Sequence, residues 1–176
     1  RFMTAPLPVV MHIISSVIYS IMGAFQFSDS FRQNHPIWHR TSGKWLIPLG
    51  LISALSGIWM TLFYVRPQID GALIVANFDD QNLFVIRLVV GVAMCCFIFL
   101  GLAAIQKRNI PQHRAWMIRG YALALGAGTQ VFTHIPWFVF PYLQSELTRT
   151  ICMGAGWVIN ALIAEWVIFR KNGIAN

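Results

Sequence analysis

Charged residues are scarce in this sequence, and their scarcity excludes most classes of soluble protein. Only 11% of the 176 residues are Asp, Glu, Lys or Arg, whereas a soluble domain of this size carries roughly 25% charge. Hydrophobic residues make up 57% of the chain, and its mean hydropathy is +0.61. We therefore expect residues 1–176 to form a single integral membrane helical domain with no soluble domain.

Cysteine motifs and catalytic motifs are lacking as well. The three cysteines, Cys95, Cys96 and Cys152, all lie in apolar runs, with no CxxCH for covalent haem attachment and no paired CxxC of the kind that holds zinc. Nothing in the sequence resembles a nucleophile–base–orienter set or a phosphate-binding loop. The sequence therefore assigns no reaction.

Long apolar runs predict an all-α, polytopic transmembrane helix bundle. We expect about five spans, each near the ~20 residues that a bilayer core requires, at residues 9–27, 45–65, 82–105, 120–139 and 149–169. A basic, aromatic connector, residues 28–44, joins the first two spans. A longer loop, residues 66–81, joins the second span to the third, and Asp79 and Asp80 are expected to cap the third span.

Basic residues outnumber acidic residues by 13 to 6. Most of them fall on one side of the predicted bundle: Arg32, Arg40, Lys44, Lys107, Arg108, Arg114, Arg119, Arg170 and Lys171. The positive-inside rule makes that side cytoplasmic, together with the C-terminus. This topology explains the charge better than nucleic-acid binding does, so the expected partners are the bilayer and other membrane subunits.

The stretch from Gln112 to Pro136 carries the most informative polar residues. As a helix it would place Arg119, Gln130 and His134 on one face, since steps of three or four residues stack. An imidazole and an amide are costly in hydrocarbon, so this face should meet protein, water or a cofactor.

Two histidines are expected at matched depth near the outer surface. His12 and His134 each lie about four residues, or roughly 6 Å, inside a span boundary, as axial ligation of a b-type haem requires. Arg87 could pair with a haem propionate, and Gln130 and Tyr19 would surround the site. A quinone pocket, hydrogen-bonded core histidines and a small water-filled crevice are the alternatives.

Glycines could allow a planar ring to approach the backbone near this site. The candidates are Gly23 in the first span and Gly126 and Gly128 in the fourth. Without a cofactor, small residues at such positions serve close helix packing instead.

Three further histidines, His35, His39 and His113, belong to the predicted cytoplasmic face. They could form a metal site, or His39 and His113 could hold a second haem. Anionic phospholipid headgroups are the third option, with a cationic surface of Arg40, His113, Arg114 and Arg119.

Glu165 lies about one turn inside the cytoplasmic end of the fifth span. An isolated carboxylate there would tend to neutralise, so a cationic partner is expected, and Arg119 lies at similar depth. A structural ion pair and a proton relay are the two interpretations.

Three segments resemble a bacterial family of predicted membrane proteins of unknown function. They are HIISSVIYSIMGAFQFS (12–28), HPIWHRTSGK (35–44) and HRAWMIRGYALALGAGTQ (113–130), and the last is similar to the family's HRxWMIRSYAL signature. Gly120 departs from that signature, standing where Ser is expected, and Lys44 departs from the family's HRxxGR-like element, standing where Arg is expected. The resemblance implies a bacterial inner-membrane protein and no particular reaction.

Three functions are consistent with the sequence. The first is an electron-transfer or anchor subunit with one b-type haem between His12 and His134. The second is a cofactor-free accessory or structural subunit of a larger membrane complex. The third is a small proton-coupled transporter that uses Arg119, Gln130, His134 and Glu165.

Overall fold

A computed structural model describes residues 6–64 and 81–173, with side chains through residue 170. Within these ranges the regular structure is entirely helical. The helices, in chain order, are α1 (Pro6–Gln26), α2 (Asp29–Asn34), α3 (Pro36–Phe63), α4 (Gln81–Gln106), α5 (Ile110–Ala124), α6 (Gly126–Thr133), α7 (Ile135–Val139), a short 3-10 helix (Pro141–Leu143) and α8 (Glu146–Gly173).

Four of these helices are long and apolar enough to cross a membrane. They are α1, α3, α4 and the part of α8 from Glu146 to Arg170. Their large apolar side chains are mostly exposed on the outside of the bundle, as expected where lipid is the solvent. The prediction of an all-α polytopic bundle is confirmed.

The predicted fourth span, residues 120–139, is not one helix. It is divided among α5, α6 and α7, with breaks at Leu125 (φ −71°, ψ −11°) and His134 (φ −86°, ψ −11°). Pro136 explains the second break, because proline lacks an N–H and its ring clashes with the preceding turn. Both break residues stay close to helical geometry, so the three segments follow one another as successive turns.

The predicted connector, residues 28–44, is largely helical. The Ser28 hydroxyl caps α2 by accepting a hydrogen bond from the Phe31 N–H at 3.3 Å, and Pro36 lies at the start of α3, where its missing N–H has no partner to lose. The second span therefore begins nine residues earlier than predicted. Of the predicted loop at 66–81, residues 66–80 lie outside the described residues, including the expected cap at Asp79 and Asp80, and Gln81 is the first residue of α4.

A tight turn joins α4 to α5. Arg108 adopts φ 57°, in the left-handed region, and the next amide, that of Asn109, donates to the Ala104 carbonyl at 2.9 Å. The Asn109 side chain then caps α5 by accepting from the Gln112 N–H at 3.1 Å. This arrangement reverses the chain within three residues, so α5 packs antiparallel to α4.

The helices pack in the order α1, α3, α4, α5, and α5 also contacts α1, which closes a four-helix group. The core of this group consists of Tyr19, Leu46, Ala54, Met94 and Ile98. Helix α8 lies against α4, α5 and α6. The apolar core occupies the middle of the group, and the histidines lie towards its two ends.

Candidate functional site

His12 lies between α1 and α3, at the end of the bundle where α3 ends. Its Nδ1 is 2.8 Å from the Ser53 carbonyl oxygen and 3.2 Å from the Ser56 hydroxyl. Because a carbonyl oxygen can only accept, Nδ1 carries the proton of this bond. In the neutral ring, Nε2 then carries the lone pair, which is the tautomer that metal-ligating histidines adopt.

His134 lies at the junction of α6 and α7, where its half-buried ring is 6.2 Å from the Phe138 ring. Helix α6 packs against α8, whereas the helix that carries His12 packs against α3. The structure thus places the two imidazoles of the predicted haem site on different helix pairs at the same end of the bundle.

Gln130 and Arg87 meet at one residue of α8 that no sequence pattern indicates. The Gln130 amide nitrogen donates to the Met153 carbonyl at 3.0 Å, and the Arg87 guanidinium is 3.7 Å from the Met153 sulfur. A backbone carbonyl and a thioether leave no polar signal in a sequence, so Met153 could not be selected from residue types alone.

Tyr19 belongs to the core of the four-helix group. It is only 3% exposed, it packs against Gly50 of α3, and its ring centroid is 5.9 Å from that of Tyr121. It lies two turns along α1 from His12, so it fills the middle of the bundle.

The protein's own aromatic rings cover two of the three glycines expected to admit a cofactor. The Tyr121 ring lies over Gly23, and the Trp157 indole lies over Gly126. At Gly128, by contrast, no heavy atom of the described residues lies within 4 Å of the position that a Cβ would take. The close approach that glycine permits serves helix packing at the first two positions.

The other end of the four-helix group also contains two imidazoles. His113 of α5 has its Nδ1 2.8 Å from the Gly101 carbonyl of α4. His39 of α3 has a buried Nδ1 with no hydrogen-bond partner in the described part of the chain, and it is close enough to His113 for a charge on that ring to act on it. Beside them, the Gln26 amide donates to the Ser42 hydroxyl at 2.7 Å.

The three-histidine metal site, one of the options that the sequence left open, is not formed by the described residues. Among the described residues, which include His35, His39 and His113, no group of three His, Cys, Asp or Glu side chains could hold a metal ion. His35 instead packs its ring 4.8 Å from the Phe31 ring. The i, i+4 spacing of His35 and His39 suggested that the two rings share a helix face. Pro36 begins a new helix between them, so the spacing does not fall within one helix.

Most of the predicted anion-binding residues contact protein groups. Arg114 is 2.9 Å from the Asp29 carboxylate, which also binds Arg32 at 2.8 Å. The Arg119 guanidinium lies 4.7 Å from the centre of the Trp116 ring. Arg40 is exposed.

Arg119 and Glu165, paired on sequence grounds, form a bidentate ion pair between α5 and α8. The two bonds, from Arg119 Nε to Glu165 Oε1 and from Arg119 Nη2 to Glu165 Oε2, measure 2.5 Å and 2.8 Å. Earlier in α8 than Glu165, the Asn160 amide donates to the hydroxyl of Thr129 in α6 at 2.9 Å.

A cavity of about 220 Å³ lies between α5 and α8. Its walls are mainly apolar and include Phe27, Tyr121 and Val167, while Arg114 and Asn160 supply polar groups. The cavity is lined by neither His12 nor His134, so it is distinct from the quinone pocket that the sequence predicts around those two residues.

These features define a polytopic helical membrane protein whose polar side chains lie between helices. The chain matches the family model described as "Predicted membrane protein (DUF2306)" over residues 9–168, and it belongs to that family. Neither the search of curated proteins nor that of solved structures returned a match.

Proposed function

We propose that the protein is an electron-transfer or anchor subunit that holds one b-type haem at its outer end, with His12 and His134 as axial ligands. The observation that carries this proposal is the hydrogen bond from His12 Nδ1 to the Ser53 carbonyl. It fixes the ring's orientation and leaves Nε2 as the coordinating atom.

The helix arrangement supports this ligand pair. Axial ligands approach a haem from opposite faces, so they come from facing helices held apart by the cofactor. His12 lies on the α1–α3 pair and His134 on the α6–α8 pair, so the two ligands would come from different helices.

The haem would supply one-electron chemistry, and the chain supplies orientation and charge. Ser53 and Ser56 hold the His12 ring. Arg87 provides a guanidinium that can form charge-assisted bonds with a propionate, and Met153 holds Arg87 and Gln130 in place.

Visible spectra of the detergent-purified protein, oxidised and dithionite-reduced, test this proposal. A six-coordinate b-type α-band is expected, and its outer-site contribution should disappear in His12→Ala and in His134→Ala. His35→Ala is the matched control, because His35 is an exposed histidine outside the site, and its spectrum should be unchanged. Protein from haem-replete cells that shows only aromatic absorbance would overturn the proposal.

A specific observation favours a second candidate, a cofactor-free structural subunit of a larger complex. Polar groups of α5 and α6 are bonded to α8, through Gln130 to Met153, Thr129 to Asn160 and Arg119 to Glu165, as polar residues that hold membrane helices together would be. This candidate requires colourless protein that co-purifies with fixed membrane partners.

The proposal also includes a location in a bacterial inner membrane with the end of α8 in the cytoplasm. The excess of Lys and Arg at that side supports this orientation, and exposed Arg40 would contact anionic phospholipid headgroups. A C-terminal reporter that is active only in the cytoplasm tests the orientation. If the fusion protein is expressed at a normal level but the reporter is inactive, the end of α8 lies on the other side of the membrane.

A further inference from the structure

The ring of His113 is held in the same way as that of His12, by a hydrogen bond from Nδ1 to a backbone carbonyl, at the opposite end of the bundle. Its Nδ1 donates to the Gly101 carbonyl at 2.8 Å. Since the carbonyl can only accept, the neutral ring has its lone pair at Nε2. A histidine held by a backbone carbonyl in this way is typical of metal ligation.

His39 contributes an imidazole whose hydrogen bonding is incomplete. Its Nδ1 is buried and has no partner among the protein groups described. Leaving a buried polar atom without a partner is destabilising, so it requires an explanation. Coordination of a metal through this Nδ1 would give the atom the partner that it lacks.

The two rings come from helices on opposite sides of the four-helix group. Helices α3 and α5 each contact α1 and α4, so they lie on opposite sides of the group. Cofactor sites in helix bundles are built in this way, from side chains on facing helices. His39 and His113 are near enough to interact electrostatically.

The charges around this end suit an anionic cofactor. Arg32 and Arg114 share the single carboxylate of Asp29 at this end of the bundle. Arg40, the residue after His39, is exposed. Guanidinium groups form strong, charge-assisted bonds with carboxylates such as propionates. The surroundings therefore complement the charge of a haem as well as its ligation.

We propose that His39 and His113 are the axial ligands of a second b-type haem at the cytoplasmic end of the four-helix group. This inference rests on the proposed function, because it adds a second redox centre to the one between His12 and His134. Each half of the bundle would then hold one haem.

The haem-to-protein ratio of purified, haem-saturated protein tests the second site. The wild-type chain should bind two haems. His39→Ala and His113→Ala should each bind one, and that one should be absent when His12→Ala is added. His35→Ala should retain both haems.

His113→Met provides a test that does not depend on loss of cofactor. A thioether can replace one imidazole as ligand and raises the reduction potential of a haem, so redox titration should show one of two potentials shifted upwards. Circular dichroism of each variant establishes that the helices are intact.

The outcomes separate this proposal from the previous one. A single haem that is lost in His12→Ala and kept in His39→Ala and His113→Ala overturns the second site alone. A single haem with the reverse pattern overturns the His12–His134 site and retains this one. Two haems that persist in both His39→Ala and His113→Ala contradict the assignment of these ligands.

Discussion

The indole of Trp157 lies directly against the backbone of Gly126. Because glycine has no Cβ, α6 and α8 can approach each other closely at this point. A Cβ on Gly126 would overlap the indole ring. On the facing helix, Gly156 lies beside the Gln130 side chain and the Gly126 carbonyl. Small residues of this kind allow membrane helices to approach closely.

Gly126→Ala should therefore destabilise the contact between α6 and α8. Over-packing of a close contact costs about 1–3 kcal/mol, and thermal unfolding in detergent, followed by tryptophan fluorescence, should show a lower midpoint. Gly128→Ala is the matched control in the same helix, because a Cβ there meets no described atom within 4 Å. Alanine is the better helix former by about 1 kcal/mol, so this control should be neutral or stabilising, and equal losses in both variants would contradict the packing account.

Tyr121 joins α5 to α1 through its hydroxyl, which donates to the Ser20 carbonyl at 2.6 Å. Tyr121→Phe removes this bond while keeping the ring over Gly23, so the free energy of unfolding should fall by about 1 kcal/mol. Tyr142→Phe is the control, since Tyr142 is 79% exposed and should change nothing. Chemical unfolding in mixed micelles measures both variants, and an unchanged midpoint for Tyr121→Phe would exclude a stabilising role for the bond.

The Arg119–Glu165 pair should make a measurable contribution to the contact between α5 and α8. A double-mutant cycle of Arg119→Gln and Glu165→Gln should give a coupling energy of about 1 kcal/mol, because a bidentate pair is stronger than a single contact. A larger coupling is not expected, because the Glu165 side chain is 54% exposed near the end of its span, where interfacial water screens the attraction.

Arg119→Lys distinguishes charge from geometry in this pair. Lysine retains the charge but lacks the planar fork, so its stability should lie between that of wild type and that of Arg119→Gln. Strictly additive losses in the cycle would show that the two residues act independently.

The long helices can be predicted because their apolar runs are uninterrupted. Helix α4 (Gln81–Gln106) differs from its predicted span by one residue at each end. The connector at 28–44 differs more, because its polar composition resembles a loop while its helices depend on a cap at Ser28 and a proline start at Pro36. The break at Leu125 has no proline or charge beside it that would indicate it.

The partners of the polar side chains are harder to predict than the side chains themselves. The sequence marks His12 and His113 as polar residues within or beside the spans, but each bonds a backbone carbonyl, of Ser53 and Gly101 respectively. Every residue has a carbonyl, so no pattern of residue types identifies the one that will be used. Arg119 and Glu165 can be paired from the sequence because opposite charges at matched depth have few alternatives in a membrane.

The attachment of α6 to α8 has a consequence for biosynthesis. His39 and His113 belong to helices whose synthesis is complete at residue 124, whereas His134 lies on a segment that packs on a helix beginning at Glu146. Because α6 packs mainly on α8, the end of the bundle that contains His134 can take its final form only after that later helix has inserted. Maturation of the protein should therefore begin at the end that contains His39 and His113.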